Sequence, residues 1–498
     1  MKENAGNDMR SRLSLALLAL ILLLPVAACG VGTNRHVSRA TLPAAPLLLN
    51  RAIAQADQPA CGPTASSKPL VTGSHASTIG NAYQQILRVF IRPLDSAGLL
   101  NAAWQGAITE AAKEGVADPG VTDPQLSDTS ADADWQTFAA SYDSLSQSTD
   151  GHVDQLKLAF SAITKMTDSV DEGHTYFDPP EDYSRMASGR EQVLSGGIGV
   201  VLNGSKAPFV VQEVVPGAPA DQTGVRPGDS IVSVDGCDVG DWEAIQLTSR
   251  VRGDAGTSVH LTFNRPSRGN FDADITRARV TFPDISSQML PQGVGYIHLH
   301  EFPSPTTVLD GGKPLGPSLT DILNGFQAQG ARGWILDLRG NPGGEVSGVQ
   351  AVGGLLLPTG VMFSTADRAG HKSNVRTTGN RVSSPPLLAV LVDKASASGS
   401  EILSAAIQDQ GAAPILGTPT AGVANEAELL GIGDGAGVSV TVAQTYSPHG
   451  RPLNGTGLTP DIQIERTPED LAAGNDPPLD RAVQLPSPPQ ASQGNAGQ

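Results

Sequence analysis

A serine between a predicted strand and a predicted helix has the surroundings that best suit nucleophilic chemistry. The short apolar run Leu387–Val392, behind two prolines, is typical of a buried strand. The small residues of Lys394–Gly399 indicate a turn, and the alternating pattern of 400–410 indicates a helix. A hydroxyl at Ser398 would lie beside free backbone N–H groups, the donors that an acyl-transfer oxyanion needs. The alternative is an ordinary N-cap turn, in which serine is favoured for capping alone.

The elements that position this serine belong to a long, acidic chain. The sequence has 498 residues, enough for several domains. Hydrophobic residues make up 39% and aromatic residues 4%, with 56 Gly and 37 Pro, which favours a globular protein with long connections. The net charge of -17 argues against nucleic acid or an anionic membrane surface as a partner.

The histidines and cysteines are candidates for metal ligands and for a disulfide. No Cys/His cluster has metal-ligand spacing, so the sequence predicts neither a metal nor another cofactor. His298 and His300 share one face of a predicted strand and could line a cleft or a wet sheet face. Cys61 and Cys237 could pair in an oxidising compartment, but spacing alone leaves this open.

The N-terminus has the pattern of an export signal. Lys2, Arg10 and Arg12 precede the apolar run Leu13–Val26, which is too short for a membrane span. Small residues and then Cys29 follow, which resembles a bacterial lipobox, in which that cysteine is lipidated. We therefore expect a signal peptide over 1–28 and an exported lipoprotein, anchored to the membrane on its periplasmic or extracellular face. The alternative is an ordinary signal peptide cleaved nearby.

The rest of the chain divides by composition. Residues 29–74 are rich in Ala, Pro, Ser and Thr and indicate a flexible tether. Apolar residues at helical spacing predict a helical domain over 75–190. Apolar strands alternating with helical segments predict an α/β core over 280–466. The Pro/Gln/Asn-rich segment 467–498 is predicted to be disordered.

A β-rich region separates the helical domain from the core. Short β-type runs alternate with turns over 191–268, and the segment Val215–Gly236 closely resembles a PDZ domain. In such domains the segment matching Gly197, Ile198 and Gly199 offers backbone N–H groups to a peptide carboxylate. The alternative is that these glycines only close a tight turn.

Several motifs in one order resemble the carboxyl-terminal processing (tail-specific) serine protease family. The resemblance runs from about Ile79 to Glu465 and implies a ββα-type core, like that of crotonase and Clp, with a PDZ domain inserted in it or preceding it and an N-terminal helical domain. It would make Ser398 the nucleophile, with Gly399 and Gly344 donating to the oxyanion. The motifs that carry it are Asp337–Gly344, Ser396–Glu401, Gln408–Gly411, Gly417–Gly422 and Gly457–Asp461.

The position of the general base differs from that in the commonest members of the family, in which a lysine activates the serine. Val423 stands at the matching position and cannot accept a proton. The segment Asp171–Thr175 is similar to one in the Ser-His, tricorn-like branch, which would make His174 the base. Alternatively, His174 only caps the segment and the site is inactive.

The sequence thus predicts a tail-specific serine endopeptidase that cleaves exported polypeptides, with apolar C-termini held by the PDZ domain. Ser398 would attack the carbonyl, and His174 would carry the proton. The competing prediction is a catalytically inactive member that keeps the fold as a PDZ-type peptide-binding scaffold.

Overall fold

The architecture comes from a computed structural model, which describes residues 70–127, 130–170, 172–180, 182–184, 196–203, 207–242, 244–280, 283–309, 311–379, 381–382 and 384–486. The expected signal peptide, Cys29 and almost all of the expected tether lie outside these ranges, so those expectations stay predictions. Among the described residues, no helix combines the length and apolar character that a membrane span requires.

The helical domain begins its helices with side-chain caps. The Asp95 carboxylate accepts the N–H of Gly98 at 3.0 Å, and that of Asp154 accepts the N–H groups of Leu156 and Lys157. Such caps satisfy donors that a helix start leaves unpaired. The elements are α1 (Ala76–Val89), α2 (Ser96–Lys113), α3 (Ala131–Thr149), α4 (Gln155–Asp168) and the following strand β1 (Tyr176–Asp178).

The region predicted to be a PDZ domain is a small antiparallel sheet with its own core. Its strands lie in the order β2-β3-β4-β6-β7, with β5 beside β4. Phe209, Val211 and Phe263 point into a separate apolar cluster. The elements are β2 (Val200–Asn203), β3 (Phe209–Val214), α5 (Pro219–Gln222), β4 (Ser230–Val234), β5 (Cys237–Asp238), α6 (Ala244–Val251), β6 (Ser258–Arg265) and β7 (Gly269–Thr276).

Cys237, on strand β5, is buried and disulfide-bonded. The possible pairing with Cys61 concerns a residue that lies outside the described ranges. That pairing therefore stays open.

The main sheet of the α/β core has the order β17-β14-β13-β10-β9-β8, parallel except for the edge strand β8. Its central strands are almost wholly apolar, as expected of strands covered on both faces. The elements are β8 (Ile285–Leu290), β9 (Val294–Leu299), α7 (Leu315–Ala328), β10 (Gly333–Asp337), α8 (Val346–Leu356), β13 (Leu387–Val392), α9 (Gly399–Asp409), β14 (Ile415–Gly417) and β17 (Ile462–Gln463).

A second sheet joins the core to the helical domain. Its order is β1-β16-β11-β12, with β15 also paired to β16. Ile432, Val438 and Val440 from this sheet belong to the apolar cluster of the helical domain. The two domains therefore share one core. The remaining strands are β11 (Val361–Asp367), β12 (Lys372–Arg376), β15 (Glu426–Gly433) and β16 (Ala436–Tyr446).

The prediction of a disordered tail is wrong for the part of the tail that the structure describes. Residues 467–486 contain α10 (Pro468–Ala473) and α11 (Pro477–Val483). Ala482 is fully buried against the main sheet. The Asp476 carboxylate accepts hydrogen bonds from the Arg339 guanidinium. Composition suggested disorder, but these contacts with residues far away in sequence order the segment.

Candidate active site

Ser398 lies where β13 has ended and α9 begins, as the sequence predicts. It is the N-cap residue of α9, with φ 49° and ψ −112°. A positive φ is uncommon for serine and marks a strained position of the kind found at functional sites. The residue is 6% exposed. The turn therefore holds the hydroxyl-bearing residue in a fixed, unusual backbone conformation.

Glu401 ties this turn to the segment that carries Val423. Its carboxylate accepts the N–H groups of Ser398 at 3.1 Å and Val423 at 2.9 Å. It also accepts the Gly422 N–H at 2.8 Å and the Thr420 hydroxyl at 2.5 Å. Burial raises the pKa of Glu401 to about 7, and these hydrogen bonds oppose the rise. Glu401 is thus part of a buried network rather than a simple first-turn acid.

The glycine turn after β10 lies directly against Ser398. The Asn341 side chain accepts the Gly343 N–H at 2.8 Å and donates to the Leu299 carbonyl at 2.7 Å. Gly343 has φ 110°, and a Cβ there would lie 2.7 Å from the Ser398 Cβ. Only glycine allows so close an approach of this turn to the serine.

The N–H groups of Gly344 and Gly399 are available for an oxyanion. Among the described residues, neither N–H donates to an acceptor. Phe302 pairs instead with the Gly343 carbonyl and the Glu345 N–H on either side of Gly344. Free N–H groups at a helix start beside a nucleophile suit the stabilisation of developing negative charge.

His174 lies in a buried turn organised by Glu172. The Glu172 carboxylate accepts the His174 N–H at 2.9 Å, and its Oε1 lies 3.9 Å from the His174 Nδ1. Within the described part of the chain, neither ring nitrogen has a hydrogen-bond partner. Burial lowers the pKa of His174 to about 4, although Glu172 acts to raise it. The imidazole is therefore neutral, and able to accept a proton, near pH 7.

The turns of Ser398 and His174 meet at Val423. The Ser398 N–H donates to the Val423 carbonyl at 2.7 Å. On the other side, Gly173 faces the Val423 side chain so closely that a Cβ there would lie 2.9 Å from its Cγ1. The Ser398 hydroxyl and the His174 ring form no hydrogen bond in this structure. The turns of the two predicted catalytic residues thus meet at Val423, with no hydrogen bond between the two residues themselves.

Asn425 binds the Glu172 carboxylate and not the His174 imidazole. Its side-chain amide donates to the Glu172 Oε1 at 3.1 Å and accepts the Thr445 N–H at 3.2 Å. Asn454 donates to the same Oε1 at 3.4 Å. Sequence reasoning missed Glu172, although it lies two residues before His174.

Part of the predicted peptide-binding segment of the PDZ domain is already hydrogen-bonded within the domain. The Gly197 N–H donates to the Ala278 carbonyl at 2.8 Å, in an isolated bridge. The Ile198 and Gly199 carbonyls accept hydrogen bonds from within the domain. A peptide carboxylate would therefore have to use the N–H groups of Ile198 and Gly199, and this site stays a prediction.

A cavity of about 510 Å³ lies at the carboxyl ends of the parallel strands, between the core and PDZ strand β3. Asp337 on its wall is bound by the Arg339 guanidinium, which holds the pKa of that carboxyl well below its usual range although burial alone would raise it. Glu213 meets His298 and His300 in the same cavity. The prediction of no metal rested on sequence spacing, which does not detect a group assembled from two domains.

Together, the strained serine, the free N–H groups and the neutral imidazole are the parts of a serine-type peptidase. The model of peptidase family S41 matches residues 293–464, and that of the PDZ domain matches 210–265. A carboxyl-terminal-processing protease of Synechocystis sp. is 30% identical over 313 residues, which cover 62% of this chain and 71% of that protein. The carboxy-terminal processing protease CtpA of Bacillus subtilis is 28% identical over 346 residues, covering 68% and 71%.

A solved structure of a photosystem II D1 C-terminal processing protease has the same fold. It superposes with a TM-score of 0.52 at 23% identity and covers 80% of this chain and 94% of that one. The chain belongs to peptidase family S41 and is a serine-type peptidase. The predictions of family, fold class and enzyme class are confirmed, whereas the Ser-His branch and the individual site residues stay predictions.

Proposed function

We propose that this peptidase is tail-specific and cleaves polypeptides through Ser398 as nucleophile and His174 as base. The His174 imidazole takes the proton from the Ser398 hydroxyl as the oxygen attacks the peptide carbonyl. The Gly344 and Gly399 N–H groups stabilise the oxyanion. As the intermediate collapses, the protonated His174 gives its proton to the leaving amine, which leaves an acyl-enzyme and a neutral imidazole. Water then releases the acyl group, with His174 again as base.

The observation that carries this proposal is the contact of both turns with Val423. His174 directly follows Gly173, which packs against the Val423 side chain, and the Val423 carbonyl accepts the Ser398 N–H. Catalytic hydrogen bonds are often long in free enzymes and tighten when substrate binds. Lys394, the lysine nearest in sequence to Ser398, is exposed and offers a weaker alternative. The scaffold alternative is not favoured by the relatives, which are named proteases.

Substrate choice is assigned to the PDZ domain. Relatives named for carboxyl-terminal processing support a substrate recognised by its end. The N–H groups of Ile198 and Gly199 would bind the carboxylate of an apolar C-terminus, which extends along the domain as an added strand. We expect an amidated substrate to show a higher KM than the same polypeptide with a free carboxylate. Equal KM values would contradict this assignment.

The catalytic assignment is tested with a fluorophosphonate probe, which labels an activated serine. The protein should be labelled at Ser398, and His174→Ala should abolish labelling while circular dichroism shows an intact fold. Labelling that persists in His174→Ala would remove the histidine from the mechanism.

Lys394→Met is the matched control, because it removes a basic group close to the serine in sequence. Its labelling rate should stay within about twofold of the parent protein, as for most exposed substitutions. If Lys394→Met loses labelling and His174→Ala keeps it, the lysine is the base.

A further inference from the structure

Three potential metal ligands meet in the cavity between the PDZ domain and the core. Glu213 lies on β3, His298 on β9, and His300 just beyond β9. One ligand atom from each lies within 4.8 Å of the others. The Nδ1 atoms of His298 and His300 lie 4.0 and 3.8 Å from the Glu213 Oε2.

The other nitrogen of each ring, Nε2, already has a hydrogen-bond partner within the protein. The His298 Nε2 lies 3.0 Å from the Arg339 carbonyl, which can only accept, so this nitrogen carries the proton. When the ring is neutral, its Nδ1 presents a lone pair on the side of Glu213. The His300 Nε2 lies 3.0 Å from the Ser286 hydroxyl, which can donate to it or accept from it. A ring nitrogen bound to a carbonyl or hydroxyl, with the other one free, is the arrangement of metal-ligating histidines.

We propose that Glu213, His298 and His300 form a binding site for a zinc-type divalent transition metal. Two imidazoles and one carboxylate suit Zn²⁺ and similar ions, whereas Mg²⁺ and Ca²⁺ prefer oxygen ligands alone.

The spacing is close to what such an ion requires. In a tetrahedral site with bonds of about 2.1 Å, ligand atoms lie about 3.4 Å apart. The Glu213 carboxylate is about half an ångström too distant from each ring and is partly exposed, so a small side-chain rotation closes the gap. The fourth position faces the cavity and is open to water.

An ion here would join the PDZ domain to the core by coordinate bonds. In the adjacent contact, the Gln212 side chain donates to the Asp393 carboxylate at 3.3 Å. The Arg339 carbonyl, which binds His298, precedes the glycine turn that lies against Ser398. The ion would thus fix the PDZ domain beside the active site. Metal binding is independent of the proposed base and can hold even if His174 is not catalytic.

The test is calorimetric titration of the chelator-treated full chain with Zn²⁺, and with Co²⁺ followed by visible absorption. We expect one ion per chain, with no competition from Mg²⁺. Ser286→Ala, which removes a partner of His300, should weaken binding by about 10-fold. Glu213→Gln and His300→Ala, which remove ligands, should weaken it further. Zn²⁺ should also raise the Tm of the parent protein but not that of His300→Ala.

His260→Ala is the matched control. The His260 Nδ1 lies 2.8 Å from the Asp274 carboxylate, and a second carboxylate, that of Asp272, lies within 4 Å of its ring, but the site is on the exposed PDZ surface. Its substitution should leave the affinity for Zn²⁺ unchanged. The proposal is overturned if the parent protein does not bind Zn²⁺, or if His300→Ala binds it equally well.

Discussion

The turn of Ser398 and the turn of His174 touch the same valine but are held in different ways. On the serine side, Glu401 accepts hydrogen bonds from the Ser398 N–H and three further donors. On the histidine side, Glu172 is equally well bound, yet neither nitrogen of the His174 ring has a partner in the described structure. The proposed nucleophile is therefore fixed before substrate arrives, whereas the proposed base has still to form its contact.

The largest expected effect comes from disturbing the fixed side. Gly343→Ala would place a methyl group 2.7 Å from the Ser398 Cβ at φ 110°, so the turn that carries the Gly344 N–H must move. We expect kcat to fall by about 10²–10³-fold, the cost of losing one oxyanion donor. Gly316→Ala, where nothing lies near the added methyl group, is the control and should keep full activity. Unchanged kcat in Gly343→Ala would separate this turn from catalysis.

The next largest effect is the pH dependence of stability that the buried His174 imidazole causes. Burial lowers the pKa of His174 to about 4, whereas an unfolded chain has a histidine pKa of about 6.5. The unfolded state thus takes up the proton first. A neutral His174 therefore contributes about 3 kcal/mol to the free energy of unfolding above a pH of about 6.5. This contribution is lost as the pH falls towards 4.

His174→Gln removes this titration and isolates it from that of other groups. When the pH is lowered from about 7 to about 4.5, calorimetry should show a larger fall in the Tm of the parent protein than in the Tm of His174→Gln. The exposed variant His371→Gln should behave like the parent protein. Parallel Tm curves for the parent and His174→Gln would mean that the ring is not held neutral.

The smallest effect tests the network around Glu401. In Glu401→Gln one oxygen is replaced by an NH₂ group that faces backbone N–H donors, so at least one buried hydrogen bond is lost. We expect a destabilisation of about 2 kcal/mol, with slower labelling of Ser398, measured by thermal unfolding and by the fluorophosphonate rate. The exposed variant Glu469→Gln should change neither quantity. Normal labelling in Glu401→Gln would show that the nucleophile is positioned without this carboxylate.

The same contrast explains how much the sequence could predict. The Ser398 turn is local, because strand, small residues and helix follow one another within 387–410, and this order of elements was predicted from the residue pattern. The order of the domains was predicted because each domain also occupies one continuous stretch of the sequence. Glu172 was missed because its partners Asn425 and Asn454 are brought to it only by folding. The group of Glu213 with His298 and His300 likewise exists only once the PDZ domain docks on the core.

The docking of the last described helix limits where this protein can be altered. Arg339 is bound by Asp337 on one side and by Asp476 on the other, and the Leu485 carbonyl accepts from the Arg332 guanidinium. A chain shortened to end before Asp476 would leave a buried guanidinium with half of its carboxylates and uncover an apolar sheet face. An affinity tag at the carboxyl end should therefore follow Leu485, and shorter versions are expected to be insoluble.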